Sequence, residues 1–231
     1  MRSGTIFLMI LLFCTSLLKA QTNDFGIWTT VGAEKKLGKW NLSGETELRT
    51  KENSTAIDRW SLGLTADYQL LKPIKIGGGY KFIYFNDSEY LDYEPRHRAN
   101  LFIQGKQKLG DFTFTLRERV QVTAKDVSDR VKENGNIDNY KVNPEYAWRN
   151  KLKVDYNIPN FPVNPAFSAE SFFSLNNPEG NSFEQIRYTL SLNYKLTKHH
   201  KFEIYGMYDD EFKVADPVQS YVFGVGYTFS F

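Results

Sequence analysis

The 231-residue chain has one cysteine, three histidines and, beyond its first twenty residues, no long apolar run. Each scarcity closes off a class of protein. Cys14 lies inside the opening apolar segment, so the remaining chain has no disulfide, no thiol nucleophile and no thiolate metal site. The three histidines, His97, His199 and His200, form no metal-ligand spacing with Asp or Glu. No segment after Ala20 is apolar over the roughly twenty residues a membrane helix needs. No phosphate-binding glycine loop is present either, since Gly77-Gly78-Gly79 falls within a strand-like stretch and marks a bend or close packing. Basic residues are spread by alternation rather than gathered in a patch, which disfavours nucleic acid as a partner.

Residues 1–20 have the layout of a secretory signal peptide. Arg2 opens it, Ile6 to Leu18 is almost unbroken apolar sequence, and Ala20 precedes polar residues. Phe13 before Cys14 argues against lipidation, which needs a small residue there. The domain boundary is therefore placed at 20/21, with residues 21–231 as one unit.

That unit is strongly aromatic, with Trp28, Trp40, Trp60 and Trp148 among many Tyr and Phe, and its overall hydropathy is negative. Its apolar residues alternate. From Arg59 to Leu70, Trp60, Leu62, Leu64, Ala66, Tyr68 and Leu70 share one face, while Arg59, Ser61, Thr65 and Asp67 share the other. Successive side chains of a strand point to opposite faces, so one face is apolar and one polar. The same pattern recurs throughout and predicts strands over 24–33, 40–49, 58–70, 74–85, 95–107, 112–123, 145–156, 165–175, 183–196, 201–212 and 218–231. Glu118 and Asn150 break it, falling on the apolar face of otherwise regular strands.

Connections sort by length. Short turns at 71–73, 108–111 and 198–200 alternate with longer loops near 50–57, 86–94, 124–144, 176–182 and 209–217. This asymmetry is that of bacterial outer-membrane barrels, with short periplasmic turns and longer external loops. Trp60, Tyr84, Tyr146, Trp148, Tyr188, Tyr208 and Tyr221 then fall near one rim, and Tyr68, Tyr156, Tyr194, Tyr227 and Phe231 near the other, as expected for aromatic girdles. The last strand carries aromatics at alternating positions, and Tyr227, Phe229 and Phe231 resemble the signal read by the barrel assembly machinery. The expected fold is all-β, an antiparallel transmembrane β-barrel of about 10–12 strands, monomeric, set in outer-membrane lipid. Eleven strands are counted where single-chain bacterial barrels usually have an even number, so parity stays open. Both termini would be periplasmic if the count were even.

The polar face carries about two basic groups for each acidic one. Two roles compete: a narrow pore whose charged lining favours small anionic solutes, and a closed structural barrel whose charges pair across a small lumen. The candidate anion contacts are Arg59, Arg96, Arg98, Arg117, Arg119 and Arg149. The rival class is an outer-leaflet lipid-modifying enzyme, for which His97 with Ser88 and Asp87 is the one set near the outer rim. No spacing rule supports that trio, and no catalytic role, cofactor or metal is assigned.

Several stretches carry a family likeness: Asp24-Phe25-Gly26-Ile27-Trp28, Glu34-Lys35-Lys36-Leu37, Glu45 to Arg49, Asp58-Arg59, Gly77 to Phe82, Tyr93-Glu94-Pro95-Arg96-His97-Arg98 and Leu192 to Leu196. Through them, nearly the whole chain after residue 20 resembles the domain-of-unknown-function 2490 family, grouped with outer-membrane β-barrels. The resemblance implies location and fold, and no activity. It also singles out Pro95 as a strand start, with Arg96 and Arg98 pointing together into the lumen near the external mouth. Their alternative role is pairing with Glu47 or another lumen carboxylate.

Overall fold

The computed structural model describes residues 22–90, 92–214 and 217–231. The signal-peptide reading of residues 1–20 lies outside the described residues. Eleven strands occur among them: β1 (Thr22–Leu37), β2 (Trp40–Lys51), β3 (Ala56–Leu71), β4 (Ile74–Asp87), β5 (Asp92–Leu109), β6 (Phe112–Lys125), β7 (Glu145–Tyr156), β8 (Val163–Ser174), β9 (Phe183–Lys195), β10 (His200–Glu211) and β11 (Val218–Ser230). Each pairs with its sequence neighbours, and β11 returns to β1, closing a barrel.

The closing seam resolves the parity question. β1 and β11 pair in parallel, from Thr22↔Val218 to Glu34↔Ser230. Every other pair is antiparallel. An odd number of up-and-down strands leaves the first and last running the same way, and a parallel ladder is what joins them. β1 therefore starts at the long-loop rim, while β11 ends at the short-turn rim. The even-count condition for two periplasmic termini is not met. The strands also run further than alternation alone marked them, with β1 reaching Leu37 and β4 reaching Asp87. This shortens two of the expected long loops to 52–55 and 88–91. The longest connection is 126–144, and the expected asymmetry rests mainly on it.

Burial is inverted relative to a water-soluble domain. Among the described residues the buried apolar set is Ile83, Ala166, Met207 and Val222, against twelve buried polar or charged residues that include Ser61, Asp67, Glu94, Arg149, Glu170 and Asp209. Outward residues are apolar and exposed: Leu62, Leu64, Leu101 and Leu190 lie between 52% and 72% exposed. A surface of that kind is solvated by lipid, and closure leaves no unpaired backbone edge inside hydrocarbon.

Aromatic pairs mark both rims. Trp40–Tyr68, Phe112–Tyr156 and Phe202–Tyr227 lie at the short-turn end, with ring centroids 5.0, 4.9 and 5.1 Å apart. Trp60–Tyr84, Tyr84–Tyr93 and Tyr208–Tyr221 lie toward the loop end, at 5.8, 5.0 and 5.2 Å. Amphipathic rings settle at the headgroup level, so the two belts bracket the hydrocarbon span.

Two glycines make room inside. A Cβ at Gly77 would stand 2.5 Å from the Phe102 ring and 2.7 Å from the Ala66 carbonyl oxygen, and one at Gly224 would overlap the Tyr205 ring. Large rings on one strand are thus received by glycine on the next. Gly77→Val is expected to lower the unfolding free energy in lipid vesicles by about 1–3 kcal/mol, the cost of overpacking. Gly105→Ala, where an added Cβ meets nothing within 4 Å, should change it by less than about 0.5 kcal/mol. Urea-unfolding midpoints followed by heat-modifiable gel migration check both.

Candidate functional site: the basic lumen and its loop clamp

The inward set of each strand follows from period two. Arg117, Arg119, Gln121, Thr123 and Lys125 of β6 face in, as do Ala147, Arg149, Lys151 and Lys153 of β7. In register these bring like charges side by side: Arg49 opposite Arg59, Lys81 opposite Arg98, Arg119 opposite Arg149 and Arg117 opposite Lys151. Like charges directly across a strand pair destabilise a sheet. The fold tolerates this arc because selected carboxylates sit among the cations.

Glu170, only 3% exposed, is the principal one. Its Oε1 accepts from Arg149 Nε at 3.1 Å and from Arg117 Nη2 at 3.3 Å. Glu47 accepts from Arg49 Nε at 2.8 Å, and Lys81 lies 2.7 Å from Glu45. Asp209 accepts from Arg187 Nε at 3.0 Å and from Gln185 at 2.7 Å. Toward the short-turn end, Lys75 meets Asp67 at 3.4 Å and Lys153 meets Asp155 at 2.8 Å.

Several inward cations are left out of this pairing. Within the wall, Arg98 and Arg119 have no carboxylate among the described residues within ion-pair distance, and Lys151 has none that close although it stands directly opposite Glu170 of β8. Arg98 donates from Nε to Thr123 Oγ1 at 3.0 Å, and Lys81 of β4 stands directly opposite it. The Nε of Arg119 is buried without a hydrogen-bond partner.

Arg98 and Arg119 look onto a cavity of about 970 Å³ in the loop-side half of the barrel. Its lining includes ten Lys or Arg residues, among them Arg49, Arg59, Arg98, Arg119, Arg149 and Arg187, against seven Asp or Glu. The net excess is positive. Loop residues Lys141, Val142, Glu179, Lys213 and Val214 shape its mouth.

Aromatic rings complete the lumen, and the charged pattern did not single them out. Arg49 stacks 3.5 Å over Trp28, with Arg187 at 5.4 Å from the same ring. Arg96 lies 3.4 Å over Phe85 with Arg59 at 4.9 Å, and Arg149 lies 4.3 Å over Phe172. A guanidinium over a ring keeps its charge while losing water on one side, which partly compensates its burial. The parity of neighbouring residues carried the signal. Trp28 shares the face of Asp24 and Gly26, Phe85 that of Lys81, and Phe172 that of Glu170.

The loop at 126–144 is fastened to the rim of β4 and β5. Arg130 and Asp87, each 7% exposed, form an ion pair. Arg130 also lies 3.2 Å from Asp138, and its guanidinium is sandwiched between Tyr90 and Tyr140 at 4.5 and 4.3 Å. Tyr140 donates to Glu94 at 2.9 Å, and Arg96 donates to the Tyr140 hydroxyl at 3.1 Å. A short bridge, Val131↔Ile137, stiffens the loop's own hairpin. Burial pushes the Tyr140 phenol up to about 12, with its bond to Glu94 adding to the shift. At neutral pH the phenol therefore remains a donor.

The sequence-derived residues divide between these two places. Arg59, Arg98, Arg119 and Arg149 line the cavity. Arg117 joins Arg149 on Glu170. Arg96 belongs to the clamp, held by Glu94 and Tyr140 rather than by Glu47. Tyr227, Phe229 and Phe231 lie at the short-turn rim, where Phe231 N donates to the Glu34 carbonyl at 2.9 Å. The set considered for an enzyme is not brought together. His97 faces outward with its Nδ1 2.6 Å from Tyr80 Oη, Asp87 faces inward onto Arg130, and Ser88 bonds to Lys51. Among the described residues no group of three or more His, Cys, Asp or Glu is placed to hold a metal ion.

A closed barrel with an apolar wall and a charged interior has the architecture of outer-membrane barrel proteins. The family model described as "Protein of unknown function (DUF2490)" matches residues 25–219, and the chain belongs to that family. No curated protein matches it significantly in sequence. Among solved structures it is similar to the NanC porin, at 14% identity and a TM-score of 0.50, over 85% of this chain and 92% of that one. It is also similar to the β-domain of the Bordetella autotransporter BrkA, at 14% identity and a TM-score of 0.52, over 86% of each chain. At these identities the likeness is one of fold.

Arg130→Ala leaves Asp87 buried beside Glu94 without its cation. Loop opening is expected to become easier by about 3 kcal/mol, the scale for breaking one buried ion pair, and cleavage within 126–144 by added protease roughly a hundredfold faster. Lys132→Ala removes only an exposed partner of Asp138 and should leave the cleavage rate within about twofold. Limited proteolysis of the folded protein in detergent reads both.

Proposed function

We propose that this protein is an outer-membrane barrel that admits small anionic solutes through the loop-side mouth and passes them along its basic lumen. The observation that carries this reading is Arg98. It faces the cavity with one hydroxyl for a partner and the cation of Lys81 directly opposite. Arg119, opposite Arg149 and with its Nε unpaired, extends the same condition deeper. A cation in such surroundings is stabilised by a visiting anion, and a row of such positions gives an anion successive places to dwell. Selectivity in narrow pores arises from charged linings of this kind. The neutralised pairs, Glu170 with Arg117 and Arg149 above all, keep the arc from binding a single anion too tightly to release.

In this reading residues 1–20 act as the secretion leader, and Tyr227, Phe229 and Phe231 form the segment recognised during barrel assembly. Lipid contacts the apolar outward face. The closed structural barrel is the competing reading. It draws on the many ion pairs that fill the lumen but leaves Arg98 and Arg119 without a purpose.

Single-channel recording in planar bilayers tests the proposal. Wild-type protein should give discrete conductance, with a reversal potential in a KCl gradient that reports chloride preferred over potassium. Arg98→Ala with Arg119→Ala should bring the permeability ratio toward one, since two uncompensated charges leave the lining. Folded protein without conductance, or a preference for cations, would eliminate this reading.

A further inference from the structure

We infer that the outward face centred on Glu118 and Asn150 is a contact surface for a second copy of this chain. The two residues lie directly opposite one another on β6 and β7, and Asn150 lies opposite Ser171 of β8. Glu118 sits near the middle of β6, and its outward neighbours Leu116 and Val120 are about half exposed, as is Leu152 beside Asn150. A carboxylate, an amide and a hydroxyl thus stand together at mid-wall, where most outward side chains offer lipid hydrocarbon.

Their hydrogen bonding is incomplete. Glu118 Oε2 accepts from Trp148 Nε1 at 2.8 Å. Neither its other oxygen nor the Asn150 amide nor the Ser171 hydroxyl has a hydrogen bond among the described residues. The contrast is with outward polar pairs elsewhere on the wall, such as Tyr80 and His97, which satisfy one another at 2.6 Å. Acyl chains can neither donate nor accept, and a polar group left unpaired in hydrocarbon is costly.

The missing partners are what a second copy would bring. The patch presents an acceptor and a donor side by side, so rotation about a two-fold axis between Glu118 and Asn150 sets the amide of each copy against the carboxylate of the other. Self-complementarity of this kind defines an isologous contact. A foreign protein would need to match the same pattern independently. Ala169, opposite Leu152, and Ser171 have small side chains, which lets the two walls approach closely. The inference replaces the lone barrel expected from sequence, and it does not depend on whether the lumen conducts.

The test uses the full chain in mild detergent and again in lipid nanodiscs. Light scattering corrected for detergent should give the mass of two chains. Glu118→Leu with Asn150→Leu should raise the dimer dissociation constant about tenfold or more, while heat-modifiable gel migration confirms that the barrel still forms. In a Cys14→Ser background, Asn150→Cys should cross-link two copies on mild oxidation and Leu62→Cys, on a distant strand, should not. A single-chain mass for the wild type would overturn the inference. So would a dimer that survives the double substitution, or one that cross-links through position 62 and not 150.

Discussion

Hydrocarbon offers the peptide backbone nothing to hydrogen-bond with, and every other feature of this molecule follows from that constraint. A chain of strands crossing such a medium must pair both edges of every strand, and the only arrangement that does so is a closed ring. Closure fixes which side chains meet lipid and which meet the interior, because they alternate. The interior then becomes the favoured place for charge. Arg149, Glu170 and Asp209 are buried for the same reason that Leu101 and Leu190 are exposed. The glycines at 77 and 224 belong to the same chain of consequences, since a narrow ring has room for inward rings such as Phe102 and Tyr205 only where a neighbour gives up its side chain.

Alternation made most of the wall legible in advance. The faces of β3, β5 and β9, the aromatic rims and the inward arginines could be read residue by residue from period two. Glu118 and Asn150 were visible as exceptions before their opposition across β6 and β7 was known. The closing seam was not legible, because a strand's sequence records its faces and not the direction of its neighbour. An odd count closes only because β1 and β11 pair in parallel. Arg96 shows a second limit. Its parity with Arg98 is real, yet the two do different work, since a loop more than thirty residues downstream supplies Tyr140 to one and not the other. Contacts of that range leave no periodic trace.

The lumen is a balance between like charges that the register forces together and carboxylates that sit among them. Arg119 opposite Arg149 would be a poor pair on an open sheet. Here Glu170 relieves Arg149, and the Phe172 ring gives its guanidinium a face to lie against. Relief stops short of Arg98 and Arg119. The residual positive field faces a water-accessible chamber rather than lipid, so its cost is moderated by solvent and its influence reaches whatever enters. The clamp around Arg130 and Tyr140 holds the longest loop beside that chamber, and Lys141 and Val142 at its end form part of the entrance.

The parallel seam has a bearing on how such a barrel comes into being. Thr22 and Val218 belong to the first and last strands, so their ladder cannot begin until the whole wall has emerged. Until then the growing sheet carries two bare edges, each a template for pairing with a stranger. Hairpins zip locally as they appear, but the final stitch is the longest-range contact in the molecule and the slowest to find by diffusion alone. A barrel sealed in this way gains from a catalyst that shelters both margins and brings them together in the correct orientation, tail-end strand beside head-end strand, pointing alike.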